Sequence, residues 1–251
     1  MEQQNTTQQF PSEEVTLPSK GLLYPEGSPL RSGKVRMKYM TAKEEDILTN
    51  QSYINKGTVI DKLLSALIVS KVNYDDILIG DKNAILVAAR ILGYGKDYEF
   101  ELKGEQHIVD LSKIDNRKLD KDIFKDGKNS FEWITPTTNT KITFKLLTHG
   151  DESKITREIE GLKKINKNAS PELSTRLKYM ITSVNGDEKD ETVREFVDYH
   201  FLARDSRAFR KHINNFQPDV DLKVTVETGD GGEESVDIPI SLNFFWPDAA
   251  I

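Results

Sequence analysis

The side chains best equipped for chemistry are few and dispersed. RDSRAFRKH, residues 204 to 212, sets Arg207, Arg210 and Lys211 on one helical face, where they could meet a phosphate or an acidic partner. The same spacing puts Phe209 and Ile213 opposite, and a solvated basic face over a buried apolar one is the simpler reading. A nucleotide site needs a glycine-rich turn that leads from a strand into a helix. The nearest approach, GYGKDYEF at 93 to 100, leaves a helix instead. His107, His149, His200 and His212 lack the paired spacing of a zinc-binding helix such as H-E-x-x-H. There is no G-x-S-x-G elbow, and the carboxylates gather in solvated runs such as GDEKDE, without the burial that tunes a general acid. The absence of cysteine excludes disulfides, thiolate metal sites and cysteine nucleophiles, and fits a reducing compartment. The sequence therefore assigns no catalytic residue, no cofactor and no metal ligand.

The elements that would position any site come from composition and periodicity. A chain of 251 residues with 37% hydrophobic and 30% charged residues has the balance of one large or two ordinary globular domains. No run approaches the roughly 20 apolar residues of a membrane span, and the start, MEQQNTTQQFPSEE, lacks the basic and apolar regions of a secretory signal. A net charge of −6 works against nucleic acid as a partner, since phosphate binding relies on Lys and Arg. Residues 1 to 14 read as a mobile arm and 17 to 34, rich in proline and glycine, as a long ordered loop. Ile60, Leu63, Leu64, Leu67 and Ile68 mark a helix within 57 to 72. A second helix is expected to start with Asp81 as N-cap, to face inward through Ile85, Ala88, Ala89 and Leu92, and to stop at Gly93. Residues 96 to 112 have a β-hairpin pattern.

Much of this order returns. VRMKYMTAKEED (35 to 46) is echoed by ITFKLLTHGDES (142 to 153), each an alternating stretch running into Thr with an acid three residues on, the signature of a strand feeding a capped helix. SALIVSKVN (65 to 73) is echoed by LKYMITSVN (177 to 185), ILIGDKNAILVAA (77 to 89) by FLARDSRAFRKHI (201 to 213), and VDLSK (109 to 113) by VDIPI (236 to 240). The order is kept and the offset grows in one direction, as insertions in a second copy require. The expected fold is α+β with two related halves, each having short leading strands, packed helices and a closing hairpin. Residues 15–114 form the first half, 115–130 a charged linker with few crossing contacts, and 131–251 the second half. Near the end, Phe244, Phe245 and Trp246 either plug the core of the second half, the favoured role, or anchor a partner.

LPSKGLLYPEGSPLRSGKVRMKYMTAKEEDIL, IDKLLSALI, LIGDKNAILVAARILGYGKDYEF and the ending IPISLNFFWP resemble the baseplate hub assembly proteins of T-even-type contractile-tailed bacteriophages, from about residue 15 onward. The resemblance implies a non-enzymatic role in building the central hub of the tail baseplate inside the host cell, through contacts with hub proteins and without a cofactor, a small-molecule substrate, nucleic acid or membrane. It leaves open whether the protein acts transiently or stays in the particle. Leu22, Leu23 and Tyr24, together with Phe244, Phe245 and Trp246, concentrate large apolar groups beside turn residues and are expected to form the partner-binding surface. The rival readings are a nucleic-acid-binding module using Arg204, Arg207, Arg210 and Lys211, and a hydrolase with buried carboxylates.

Overall fold

A computed structural model describes residues 11–120, 123–124, 127–168, 170–227, 231–238, 240 and 242–245. The chain is α+β, with helices packed on small antiparallel sheets. In the first half β1 (Ser12–Thr16) pairs with β2 (Lys34–Lys38), whose alternation buries Val35 and Met37. β1 starts at Ser12, so the last residues assigned to a mobile arm form the outer strand of a ladder. The unpaired edge of β2 holds them, an interaction that hydropathy does not report. The loop 17–33 is closed at its neck by Leu17 N–H donating to the Gly33 carbonyl (2.8 Å).

Helices α1 (Ala42–Leu48), α2 (Gln51–Asn55) and α3 (Val59–Leu67) follow, and α3 buries Leu63, Leu64 and Leu67 as expected, with Val59 buried in place of Ile60, which is half-buried. It stops before Ile68, which is extended and bridges Met37. Helix α4 (Ile79–Tyr94) begins two residues ahead of Asp81 and is capped by Leu78. Gly93 lies inside its last turn, and the stop is Gly95, at φ 84°. Asp81 fails as a cap because its carboxylate is engaged elsewhere, by Ser19 and Tyr24 of the loop. The hairpin of β3 (Asp97–Leu102) and β4 (Glu105–Asp110) closes the half, as its pattern predicts.

The second half differs in its elements: β5 (Phe131–Ile134) and β6 (Lys141–Phe144) are followed by two helices, α5 (His149–Ile165) and α6 (Glu172–Met180), and by a third strand, β7 (Ile181–Val184), pairing back onto β6. Next come α7 (Asp190–Glu195) with a π turn at Phe196–His200, α8 (Ala203–Phe216), a hairpin of β8 (Lys223–Glu227) and β9 (Glu233–Asp237), and a last short helix, α9 (Leu242–Phe245).

One continuous core joins the halves. An antiparallel bridge, Leu78 to Thr148, links them, flanked by His149 N–H to Ile77 O (2.8 Å) and Ile79 N–H to Leu147 O (3.1 Å). Where α4 begins, a Cβ on Gly80 would collide with the Pro218 carbonyl oxygen, so only glycine lets these backbones meet. The stretch 115–130 is more than a linker. Asn116 bridges Val220, Arg117 N–H donates to Asp219 O (2.8 Å), and Phe124 is buried with its ring 5.6 Å from Phe131 and 5.0 Å from Phe216. A charge-rich composition concealed the apolar groups that pack there, buried Phe124 and half-buried Leu119.

Candidate functional site

Most of the expected partner-binding residues lie in the interior. Leu23 and Tyr24 are buried and Leu22 is half-buried against the core. The Tyr24 hydroxyl donates to Asp81 Oδ2 (2.7 Å) and accepts from Leu78 N–H (3.0 Å). Ser19 adds two donors to the same carboxylate, N–H at 2.8 Å and Oγ at 2.6 Å. Asp81 is fully buried, and burial pushes its carboxyl up from the usual range against the pull of these bonds. The turn that was expected to expose Tyr24 is folded onto α4, so a side chain beside turn residues becomes part of the core. Phe244 and Phe245 are also fully buried, with Phe244 5.0 Å from Tyr98. They plug the first half, against α4 and β3, instead of the second half or a partner. Trp246 lies outside the described residues.

The accessible chemistry sits where the halves meet. A cleft of about 1020 Å³ opens between α3 and α4 on one side and α5 on the other. At its floor Lys82 Nζ bonds Asp61 Oδ1 (2.6 Å) and His149 Nδ1 (3.2 Å), and the Tyr74 hydroxyl donates to Asp61 (3.1 Å). The Tyr74 ring lies 4.5 Å from the imidazole. Ser153 Oγ stands 3.5 Å from His149 Nε2.

Serine, histidine and aspartate thus meet, but the proton is on the wrong nitrogen for nucleophilic catalysis. The Lys82 ammonium has only hydrogens to offer, so Nδ1 must accept and Nε2 carries the ring proton. A base that activates Ser153 would need Nε2 empty. Burial, and then the Lys82 charge, hold the His149 pKa below its ordinary value and keep the ring neutral at pH 7. What remains is a polar floor in which the Asp61 carboxylate already takes the Lys82 and Tyr74 donors, leaving the His149 Nε2–H beside Ser153. Nothing in the sequence spacing of Asp61, Lys82 and His149 foretells their meeting. The one available sign was the capped helix start, which fixes His149 in the first turn of α5.

Arg207, Arg210 and Lys211 are exposed on α8 opposite buried Phe209 and Ile213, the solvated face expected. His212 is packed 6.1 Å from Trp133, and burial lowers its pKa. Among the described residues no cluster of three or more histidines and carboxylates could hold a metal, and no helix is long and apolar enough to cross a membrane. No family model matches the chain, and no curated protein or solved structure matches it.

Proposed function

We propose that this protein is an assembly factor that promotes formation of the central baseplate hub of a contractile-tailed phage, working through protein–protein contacts in the host cytoplasm. The observation that carries the reading is that separate stretches of the hub-family resemblance meet in one buried network: Ser19 and Tyr24 from LPSKGLLY, and Asp81 from LIGDKNAIL. The resembling residues are thus those on which the first half's packing depends. The accessible apolar surface that such a role needs lies at the tip of the α5–α6 hairpin, where Ile165 is 86% exposed beside Leu173 (45%) and Leu162 (37%).

The test is capture of the tagged protein from infected cells, beside a protein inventory of mature particles. Hub proteins in the capture and the bait absent from particles fit the assembly factor, whereas presence in both fits a structural hub subunit. Ile165→Asp with Leu173→Asp should reduce hub capture at least tenfold with the unfolding midpoint unchanged. Recovery of no hub protein by the native chain would sink the reading.

A further inference from the structure

The hairpins that close the two halves present unpaired edges to one slot. In the first, Leu111 N–H donates to Lys96 O (2.8 Å), and the register pairs Tyr98 with Val109 and Phe100 with His107. These are the directly bonded pairs, so the backbone N–H and C=O of Gln106, Ile108 and Asp110 point away from β3. In the second, Ile238 N–H donates to Leu222 O (2.9 Å), which by the same alternation turns the backbone groups of Lys223, Thr225 and Glu227 away from β9. These two outward sets line two adjoining cavities of about 420 and 570 Å³ that share Ile108 and Thr225. The outward groups of Gln106, Ile108 and Thr225 have no hydrogen-bond partner among the described residues, and β4 and β8 pair only with their own hairpin mates. The 3-10 turn Leu111–Lys113 interrupts the approach that begins at the Asn116 to Val220 bridge, so the two edges do not zip together.

We propose that this slot is a docking site for an extended, basic segment of a partner protein, which enters as a strand between β4 and β8. Unpaired edges recruit an extended chain through its main-chain hydrogen bonds. The charge at the slot selects the occupant: Glu105, Asp110, Asp115, Asp221 and Glu227 line it against Lys113 and Lys223, and with Asp110 paired to Lys96 (2.9 Å) the acids still outnumber the lysines. Ile108, 67% exposed, supplies an apolar contact for every second residue of the incoming strand. With edges of six and five residues, the fitting segment is about five residues long, or roughly 17 Å. It runs antiparallel to one edge and parallel to the other. The proposal does not depend on which particle the protein helps to build.

The test is fluorescence anisotropy of the full chain at about 0.15 M salt with a labelled heptapeptide of alternating lysine and valine. Controls are the glutamate–valine peptide, a lysine–glycine peptide of equal charge, and the lysine–valine peptide with alternate amides methylated. At least tenfold tighter binding of the lysine–valine peptide than of each control is expected. Ile108→Pro and Thr225→Pro each delete an outward N–H that the hairpin does not use, which an edge strand tolerates. Each should abolish binding with the circular dichroism spectrum unchanged. Asp221→Lys with Glu227→Lys leaves both backbones intact and should lower lysine–valine affinity at least tenfold. The proposal is overturned if the native chain fails to bind, if the controls bind equally, if folded proline variants still bind, or if sedimentation shows the edges occupied by a second copy of the chain.

Discussion

Two aspartates in similar local settings show how surroundings decide a carboxylate's role. Asp81 and Asp205 both stand in the first turn of a long helix after a leucine cap, and both reach the loop between the leading strands of their half. Asp81 takes Ser19 and Tyr24, while Asp205 takes the N–H of Thr137 (2.8 Å) and of Thr138 (3.3 Å). For Asp81 burial prevails and the pKa is raised. For Asp205 burial also pushes upward, but the threonine bonds outweigh it and the pKa is lowered. The signs of the linkage are therefore opposite. Asp205 contributes stability above its unfolded pKa of about 3.9, and this is lost as pH falls through the folded value. Asp81 contributes stability below about pH 3.9, and this is lost as pH rises through its raised folded value. Urea midpoints measured from pH 6 to pH 3 should fall less steeply in Asp205→Asn than in the native chain, and more steeply in Asp81→Asn.

At the scale of elements, the same device starts a helix twice. Glu44 accepts from the N–H of Thr41 (3.1 Å) and from Lys38 Nζ (2.8 Å), and Asp151 accepts from the N–H of Thr148 (3.1 Å) and from Lys145 Nζ (2.8 Å). Strand, lysine, threonine and acid recur at identical spacing because each acid satisfies an orphan N–H and neutralises the lysine that leaves the strand. Thr41→Ala and Thr148→Ala should each destabilise the chain by about 1 kcal/mol, and the double substitution should be additive in urea unfolding, since the two caps share no hydrogen-bond partner. These starts were legible in the sequence because a cap is a contact over three residues. The beginning of α4 was misread because the partners of Asp81 are about sixty residues away, beyond any local pattern.

Across the whole molecule, the halves exchange their closing segments. Phe124, which follows the first hairpin, packs against Phe131 and Phe216 of the second half, and Phe244, which follows the second hairpin, packs against Tyr98 of the first. Each half thereby completes the other's core, and Asn83 Nδ2 donating to Asp219 Oδ1 (2.9 Å) adds a polar tie. Phe244→Ala should cost about 3–5 kcal/mol and lower the midpoint of a single transition common to both halves. A separate early melting of the first half, followed by near-ultraviolet circular dichroism and hydrogen exchange, would refute this coupling.

Legible along the chain were the α+β class, the hairpins, the helix starts at Thr41 and Thr148, the buried leucines of α3 and the solvated arginine face of α8, because each rests on periodicity or on neighbours within a few residues. It took long-range packing to make Tyr24 and Phe244 interior, to tie the linker down through Phe124, and to bring Asp61, Lys82 and His149 into one cleft. Large apolar groups beside a turn look the same in sequence whether they are exposed or enclosed. What encloses them here is chain distant in sequence, the start of α4 over Tyr24 and Tyr98 against Phe244, and the same long-range packing brings the floor of the cleft together.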